Sequence, residues 1–398
     1  MAEKSILIRI SGPDHPGITA ALMELLSRFD THIEDVEQIV IRGRLNLSLV
    51  VTLDLERDAR AELLLFGYEQ RVEIDFEEVS SQSSGQPPAL VATLLGVTVQ
   101  PAELGAVASA VAKAGGNIDR IIRLAKYPVM AYELTISGDD REGIRAGLLE
   151  RAHDLSCDIA VHRFGLSRRA KRLVVMDVDS TLIQDEAIEL LAGEAGSLAE
   201  VAALTERAMA GEIDFAPSLE RRVATLAGLD AAVLDRVNER LRLSPGARTF
   251  IRTLRRLGFR TAIVSGGFTS VTDHLQTELG IDHALANTLE IVDGRLTGRT
   301  TGPVVDRAAK AAFVERIAAA DAIPLDQVVA VGDGANDLDM LSTAGLGIAF
   351  NAKAVVRQAA DTSVNVPYLD AVLFVLGMRR EEIEDADAMA SPPLDQPC

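Results

Sequence analysis

Two aspartates close an apolar run in this chain: Leu173-Val174-Val175-Met176 leads into Asp177-Val178-Asp179-Ser180-Thr181. The run reads as a buried strand, and a buried strand that ends in two acids needs a reason. Residues two apart share a face of an extended chain, so both carboxylates can enter one site. Adjacent carboxylates raise each other's pKa unless a cation neutralises them. One can then be ionised and nucleophilic while its neighbour stays protonated as an acid. Alone, the pair would also suit a helix cap followed by a turn. Three more groups follow it. Ser265-Gly266-Gly267 comes directly after Ala262-Ile263-Val264, and a hydroxyl with glycine amides at a strand-to-helix turn makes an anion cradle. Lys310 follows Arg307 in a helical stretch, where a lysine ordinarily faces solvent. Val331-Gly332-Asp333-Gly334-Ala335-Asn336-Asp337 places two acids four residues apart on a glycine loop. Hard oxygen ligands on such a loop suit Mg2+.

These groups need a scaffold that gathers strand ends. Strands are predicted at Leu173–Met176, Arg260–Val264 and Val328–Val331, with helices between them such as Ala247–Leu257 and Asp306–Ala319. That alternation predicts a doubly wound, Rossmann-like α/β sheet of parallel strands. Ligands bind at the carboxyl ends of the strands in such sheets, where every one of these motifs sits. Residues 184–245 read as helices throughout, a helical cap filling the 88-residue gap between Asp177 and Ser265.

Upstream lie two copies of one smaller unit. In the first, Ser5–Ile10 alternates as a strand, Gly12–Gly17 turns, and Ile18, Ala21, Leu22 and Leu25 form one helical face. In the second, Leu94–Val99 is the strand, and Leu104, Val107, Ala108 and Val111 repeat the stripe 86 positions later. With second helices at Arg60–Gln70 and Arg141–Leu155, each copy reads as α+β, ferredoxin-like βαββαβ. Such units leave a sheet face or edge open, so pairing between copies or chains is expected. The boundaries expected are a first copy over 1–80, a Ser/Gly/Pro linker over 81–90, a second copy over 91–166 and the α/β part over 167–380. Residues 381–398 carry six acids and no base, and read as a disordered tail.

Composition narrows the partners. The net charge of −19 argues against a general nucleic-acid binder and against a protein drawn to anionic lipid. The first copy is strongly acidic: residues 1–80 hold eight bases against sixteen acids. The catalytic part is nearly balanced, so a site made locally positive still admits an anion. Two cysteines, Cys157 and Cys398, form no disulfide framework, and a cytoplasmic setting is expected. No apolar stretch approaches the roughly 18–20 residues that span a bilayer.

The four motifs in this order resemble the haloacid dehalogenase superfamily of phosphotransferases: DxDST, a strand-end Ser, a Lys, then GDGxND. The resemblance implies that Asp177 is the nucleophile and forms an aspartyl-phosphate. It implies that Asp179 protonates the leaving oxygen and then activates water. Mg2+ would be held by the Asp177 carboxylate, the Asp179 backbone carbonyl and Asp333, and Ser265, Gly266 and Lys310 would bind the phosphoryl oxygens. Within the superfamily, Glu186, Met209, Phe215, Arg222 and the strings around Ala208–Phe215, Ser218–Val223, Ala284–Asn287 and Gly332–Met340 are similar to the phosphoserine phosphatase family. That likeness implies O-phosphoserine as substrate. Glu186 would take its ammonium, Arg222 its carboxylate, Asn336 would bind near the phosphate, and Met209 and Phe215 would be apolar walls. Without the likeness, Arg222 would read as a surface arginine paired with Glu220 or Asp214. Transfer of the phosphoryl group to another alcohol such as homoserine stays open, as does a mainly regulatory amino-acid-binding role. The turn Gly12-Pro13-Asp14-His15-Pro16-Gly17-Ile18 resembles the ACT domain, an amino-acid-sensing module. This implies an effector such as serine near Asp14, Gly17 and Ile18, and a homodimer through these domains. The second copy has Gln100-Pro101-Ala102-Glu103 in place of the glycine turn.

Overall fold

The computed structural model describes residues 5–29, 31–52, 57–79, 87–152, 155–209 and 213–390. The chain divides into two compact units, Met1–Gly85 and Gln86–Cys398.

The first unit runs β1 (Ser5–Pro13), α1 (Ile18–Leu26), β2 (His32–Ile41), β3 (Arg44–Thr52), α2 (Arg57–Gln70) and β4 (Glu73–Val79), in an antiparallel sheet ordered β2-β3-β1-β4. Alternation puts Ile6, Ile8 and Ile10 of β1 with Leu45, Leu47 and Leu49 of β3 in one core, where Leu22, Leu25 and Leu63 of the helices join them. Each such side chain contributes roughly 1.5–3 kcal/mol by leaving water. Along β2, by contrast, Ile33, Val36, Ile39, Val40 and Ile41 are exposed.

The second unit begins with the same topology: β5 (Pro88–Gly96), α3 (Pro101–Lys113), β6 (Asn117–Ala125), β7 (Met130–Ser137), α4 (Arg141–Ala152) and β8 (Asp158–Arg163), ordered β6-β7-β5-β8. The strand expected at Leu94–Val99 lies earlier, and the last three residues of the expected linker belong to β5. The cause is burial on both faces. Leu90, Ala92 and Leu94 pack with α3 and α4, while Leu95, Ala131 and Ala160 join the core of the α/β part. A strand covered on both sides shows no alternation to mark its ends. This copy therefore has its open sheet face filled from within the chain, and pairing with another copy is not needed to cover it.

A short helix α5 (Leu166–Arg169) leads into the α/β part. It comprises β9 (Leu173–Met176), α6 (Ala187–Ala195), α7 (Leu198–Met209), α8 (Phe215–Ala224), α9 (Val233–Asn238), α10 (Ala247–Arg256), β10 (Arg260–Phe268), α11 (Thr269–Leu279), β11 (His283–Val292) and β12 (Arg295–Thr301). It continues with α12 (Arg307–Ala320), β13 (Val328–Gly332), α13 (Leu338–Thr343), β14 (Leu346–Phe350), α14 (Ala354–Ala359), β15 (Thr362–Val364), α15 (Val372–Val375) and α16 (Arg380–Ala390). Seven strands order as β12-β11-β10-β9-β13-β14-β15. All neighbours are parallel except β11 and β12, an antiparallel hairpin at one edge. Helices α6–α9 form the cap. Its core joins Leu191, Val201, Leu219, Val223 and Val237 with Leu289 and Leu296 of the hairpin, so the cap is not helical alone.

The tail expected to be disordered is helical through Ala390, and residues 391–398 lie outside the described residues. Its acids meet arginines: Asp387 pairs with Arg252 and Arg256 of α10. Arg380 pairs with the buried Asp370 at 3.1 Å and donates to the Tyr127 carbonyl at 3.0 Å, and Ile383 enters the core. Charge composition alone does not report such partners.

Candidate active site

Register builds the site. On the central strand β9, Met176 is level with Ile263 of β10 and with Val331 of β13. The chain therefore leaves all three strands side by side at the carboxyl end of the sheet, with Asp177 directly after Met176 and with Ser265 and Asp333 two residues after Ile263 and Val331. Beyond Asp177 the chain makes a wide helical turn over Val178–Leu182, broken at Ser180 with φ 57° and ψ 2°. A serine in this left-handed region is strained. The turn sends the Ser180 hydroxyl to Glu186 Oε1 at 2.7 Å, which brings the start of the cap over the strand ends.

Lys310 does not face solvent. It is 1% exposed, and its Nζ lies 2.6 Å from Asp177 Oδ1 and 2.7 Å from Asp337 Oδ1. Burial alone would lower its pKa, but the two carboxylates hold it above the ordinary value. Ser265 Oγ donates to Asp179 Oδ2 at 2.8 Å and accepts from the Gly267 amide at 2.7 Å. The other oxygen of Asp179 accepts from the Ala187 amide at 2.8 Å, at the first turn of α6. Asp179 thus joins the anion loop to the cap. A side chain at Gly267 would lie about 3.0 Å from Asp179 Oδ2, and one at Gly266 would meet the Phe215 ring at 2.8 Å. Both glycines are required by close approach.

The cap closes a cavity of about 460 Å3 whose walls include Asp177, Asp179, Glu186, Phe215, Arg222, Gly266, Asp333 and Asn336. Arg222 is 9% exposed. Its side chain donates to the Ser218 carbonyl at 3.3 Å and reaches Thr205 Oγ1 at 3.5 Å, not Glu220 or Asp214. Burial lowers its pKa, and Glu186 pulls it back up, as facing groups across one cavity must. Glu186 is pushed up to about 7, first by burial and then by the charge of Asp179, with the Ser180 hydroxyl opposing.

Asp177, Asp333 and Asp337 place ligand oxygens within 4.8 Å of one another. One ammonium, Lys310, stands against three carboxylates. Burial and the Asp337 charge push Asp177 well above its ordinary pKa, and the same two causes push Asp333 up to about 6. A cluster of hard oxygens with this excess of negative charge fits a divalent cation.

All the catalytic and metal candidates read from the sequence converge here, as do Glu186, Phe215, Arg222 and Asn336. The Met209 side chain lies outside the described residues. Asp14, Gly17 and Ile18 belong to the first unit. Gly17, at φ 100°, precedes α1. Ile18 is a core residue of that unit, not a surface open to an effector. Three residues were missed. Asp337 stands in GDGAND, four residues after the expected ligand Asp333; its Oδ2 accepts from the Gly334 amide at 2.9 Å. Thr181, in DxDST, donates to Asp333 Oδ1 at 2.9 Å. Asn287 closes the string Ala284–Asn287 and braces the anion loop. For each, the signal was present in a motif already noticed.

A parallel sheet whose central strand ends in an aspartate pair, with a serine–glycine loop, a buried lysine and an acidic loop beside it, defines a phosphohydrolase core. The haloacid dehalogenase-like hydrolase family matches residues 174–342, and ACT domain families match residues 4–77 and 89–162. A phosphoserine phosphatase of Streptomyces coelicolor is 54% identical over 99% of this chain and 97% of its own length. One of Mycobacterium tuberculosis is 48% identical over 97% of this chain and 96% of its own. The crystal structure of a probable phosphoserine phosphatase from Vibrio cholerae superposes with a TM-score of 0.58 at 33% identity, over 78% of this chain and 92% of that one. The chain belongs to the phosphoserine phosphatase family of haloacid dehalogenase-like hydrolases, with two ACT domains. Among the described residues no helix is long and apolar enough to cross a membrane.

Proposed function

We propose that this chain hydrolyses O-phospho-L-serine to L-serine and phosphate, the step that would complete serine synthesis. The observation that carries the reading is the cavity in which Asp177 and Asp179 lie below Glu186 and Arg222. An acid and an arginine on the cap suit an ammonium and a carboxylate, and the core suits the phosphate.

The Asp177 carboxylate attacks phosphorus. As the bond from Asp177 to phosphorus forms, the bond to the serine oxygen breaks and Asp179 gives that oxygen its proton. Ionised Asp179 then takes a proton from water as the water oxygen attacks phosphorus and Asp177 leaves. Ser265, the Gly266 amide and Lys310 hold the phosphoryl oxygens, and Lys310 balances charge on Asp177. Asp177, Asp333 and Asp337 would hold Mg2+, with the Asp179 carbonyl as a further oxygen; when bound it supplies positive charge against the phosphoryl group. Phe215 gives the cavity an apolar wall beside the leaving serine.

The first ACT domain offers the exposed apolar strand β2, which supports pairing with a second copy of the chain. The turn at Asp14–Gly17 supports binding of a free amino acid such as serine that alters turnover. One experiment tests the reading: phosphate release across a panel of phosphorylated metabolites with Mg2+, with and without added serine. O-phosphoserine should lead the panel. Equal rates on all esters would overturn the substrate assignment, and phosphate appearing on an alcohol acceptor would overturn hydrolysis.

A further inference from the structure

We infer that Asn287 is a positioning residue: its carboxamide fixes the anion loop against the helix that carries Lys310. Asn287 lies on β11, level with Phe268 at the end of β10, and is 2% exposed. Its Nδ2 donates to the Gly266 carbonyl at 2.8 Å and to the Gly267 carbonyl at 3.3 Å. Its Oδ1 accepts from the Val305 amide at 2.8 Å. Donor and acceptor ends of one buried amide are thus committed to two different segments, both of which handle the phosphoryl group.

The first segment is aimed through peptide geometry. In a trans peptide unit, C=O and the following N–H point in opposite directions. Holding the Gly266 carbonyl toward Asn287 therefore turns the Gly267 amide toward the site, where it donates to Ser265 Oγ, and Ser265 Oγ in turn reaches Asp179. The second segment is anchored just before α12. Val305 precedes Asp306, whose side chain caps the helix by accepting from the Ala309 amide at 2.9 Å. Lys310 follows on the next turn, between Asp177 and Asp337. Asn287 does not line the cavity, so it acts through these groups and touches no substrate. Misplacing such donors by a fraction of an ångström weakens every phosphoryl contact at once.

This inference rests on the phosphomonoesterase reading, and its test separates the two. Full-length Asn287→Ala and Asn287→Asp proteins are assayed with O-phosphoserine and with p-nitrophenyl phosphate. Inorganic phosphate binding is measured by titration calorimetry on native and variant proteins. Native protein that turns over neither ester defeats the function proposed above, and the phosphate titration still judges Asn287. The alanine variant should lose about ten- to a hundredfold in kcat/KM on both esters alike, as expected for unpairing buried polar groups, and phosphate should bind correspondingly less tightly. In Asn287→Asp the deficit relative to native protein should shrink as pH falls, because a protonated carboxyl regains a donor toward Gly266. That variant also serves if the alanine one does not fold. Phosphate affinity within twofold of native, a loss confined to O-phosphoserine, or a deficit independent of pH would each overturn the positioning role.

Discussion

The floor of the cavity and its cap are built to different rules. The floor is the carboxyl end of the sheet, where adjacent strands deliver Asp177 and, one residue further along their own strands, Ser265 and Asp333. Its groups hold one another: Lys310 bridges Asp177 and Asp337, and Ser265 bridges Gly267 and Asp179. The cap is a separate small core, and its polar groups face the cavity with few partners. Among the described residues Arg222 makes long contacts to Ser218 and Thr205, and Glu186 a short bond to Ser180. The difference teaches a division of labour. The floor is pre-organised for chemistry common to phosphate monoesters, while on the reading proposed above the cap holds a half-buried acid and a buried arginine for the charges that a particular ester brings.

The largest effect should come from the floor. Asp177→Asn removes the nucleophile and should lower turnover by about four or more orders of magnitude on O-phosphoserine and aryl phosphate alike. Folding should not suffer. Burial and the Asp337 charge already disfavour an ionised Asp177, so a neutral amide relieves repulsion, and thermal unfolding should show Tm at or above native. Turnover within tenfold of native would break the floor's half of the comparison.

A smaller, selective effect should come from the cap. Arg222→Ala should raise KM for O-phosphoserine about ten- to a hundredfold, the range for a lost charged hydrogen bond, with little change for p-nitrophenyl phosphate, which has no carboxylate in that place. Steady-state kinetics on both esters checks it. Equal losses on both would mean that Arg222 orders the cap and does not read the substrate.

How far these roles could be read in advance depended on locality. The floor was legible because each group sits in a short motif at a strand end, and parallel strands leave few ways to arrange those ends. Arg222 is a different case: its own segment gives an amphipathic helix on which an arginine can face either way. Only the fold shows it turned inward beside Thr205. The two ACT domains differ in the same manner. Alternation locates β1, one face of which is core. It misplaces β5, which is buried on one face by α3 and α4 and on the other by the core of the α/β part. The acidic tail failed for the same reason, since the arginines that fix Asp387 lie on α10.

The finest test of the comparison is pH. With the cavity empty, Glu186 is pushed up to about 7 by burial and the nearby Asp179. In the proposed reading its ionised form receives the substrate ammonium, so above pH 7 the site is ready. As pH falls through 7 a proton must first leave, and KM for O-phosphoserine should rise by about fourfold between pH 8 and pH 6.5. The maximal rate should change less, because the bound ammonium keeps Glu186 ionised. Phosphate esters also take up a proton near pH 6, which affects any substrate, so the ratio of KM for O-phosphoserine to KM for p-nitrophenyl phosphate isolates the cap. Glu186→Gln should raise that ratio and flatten it across the range. A ratio that stays constant with pH in native protein would place ammonium recognition elsewhere than Glu186, while the test of Arg222 as the group that reads the carboxylate would stand.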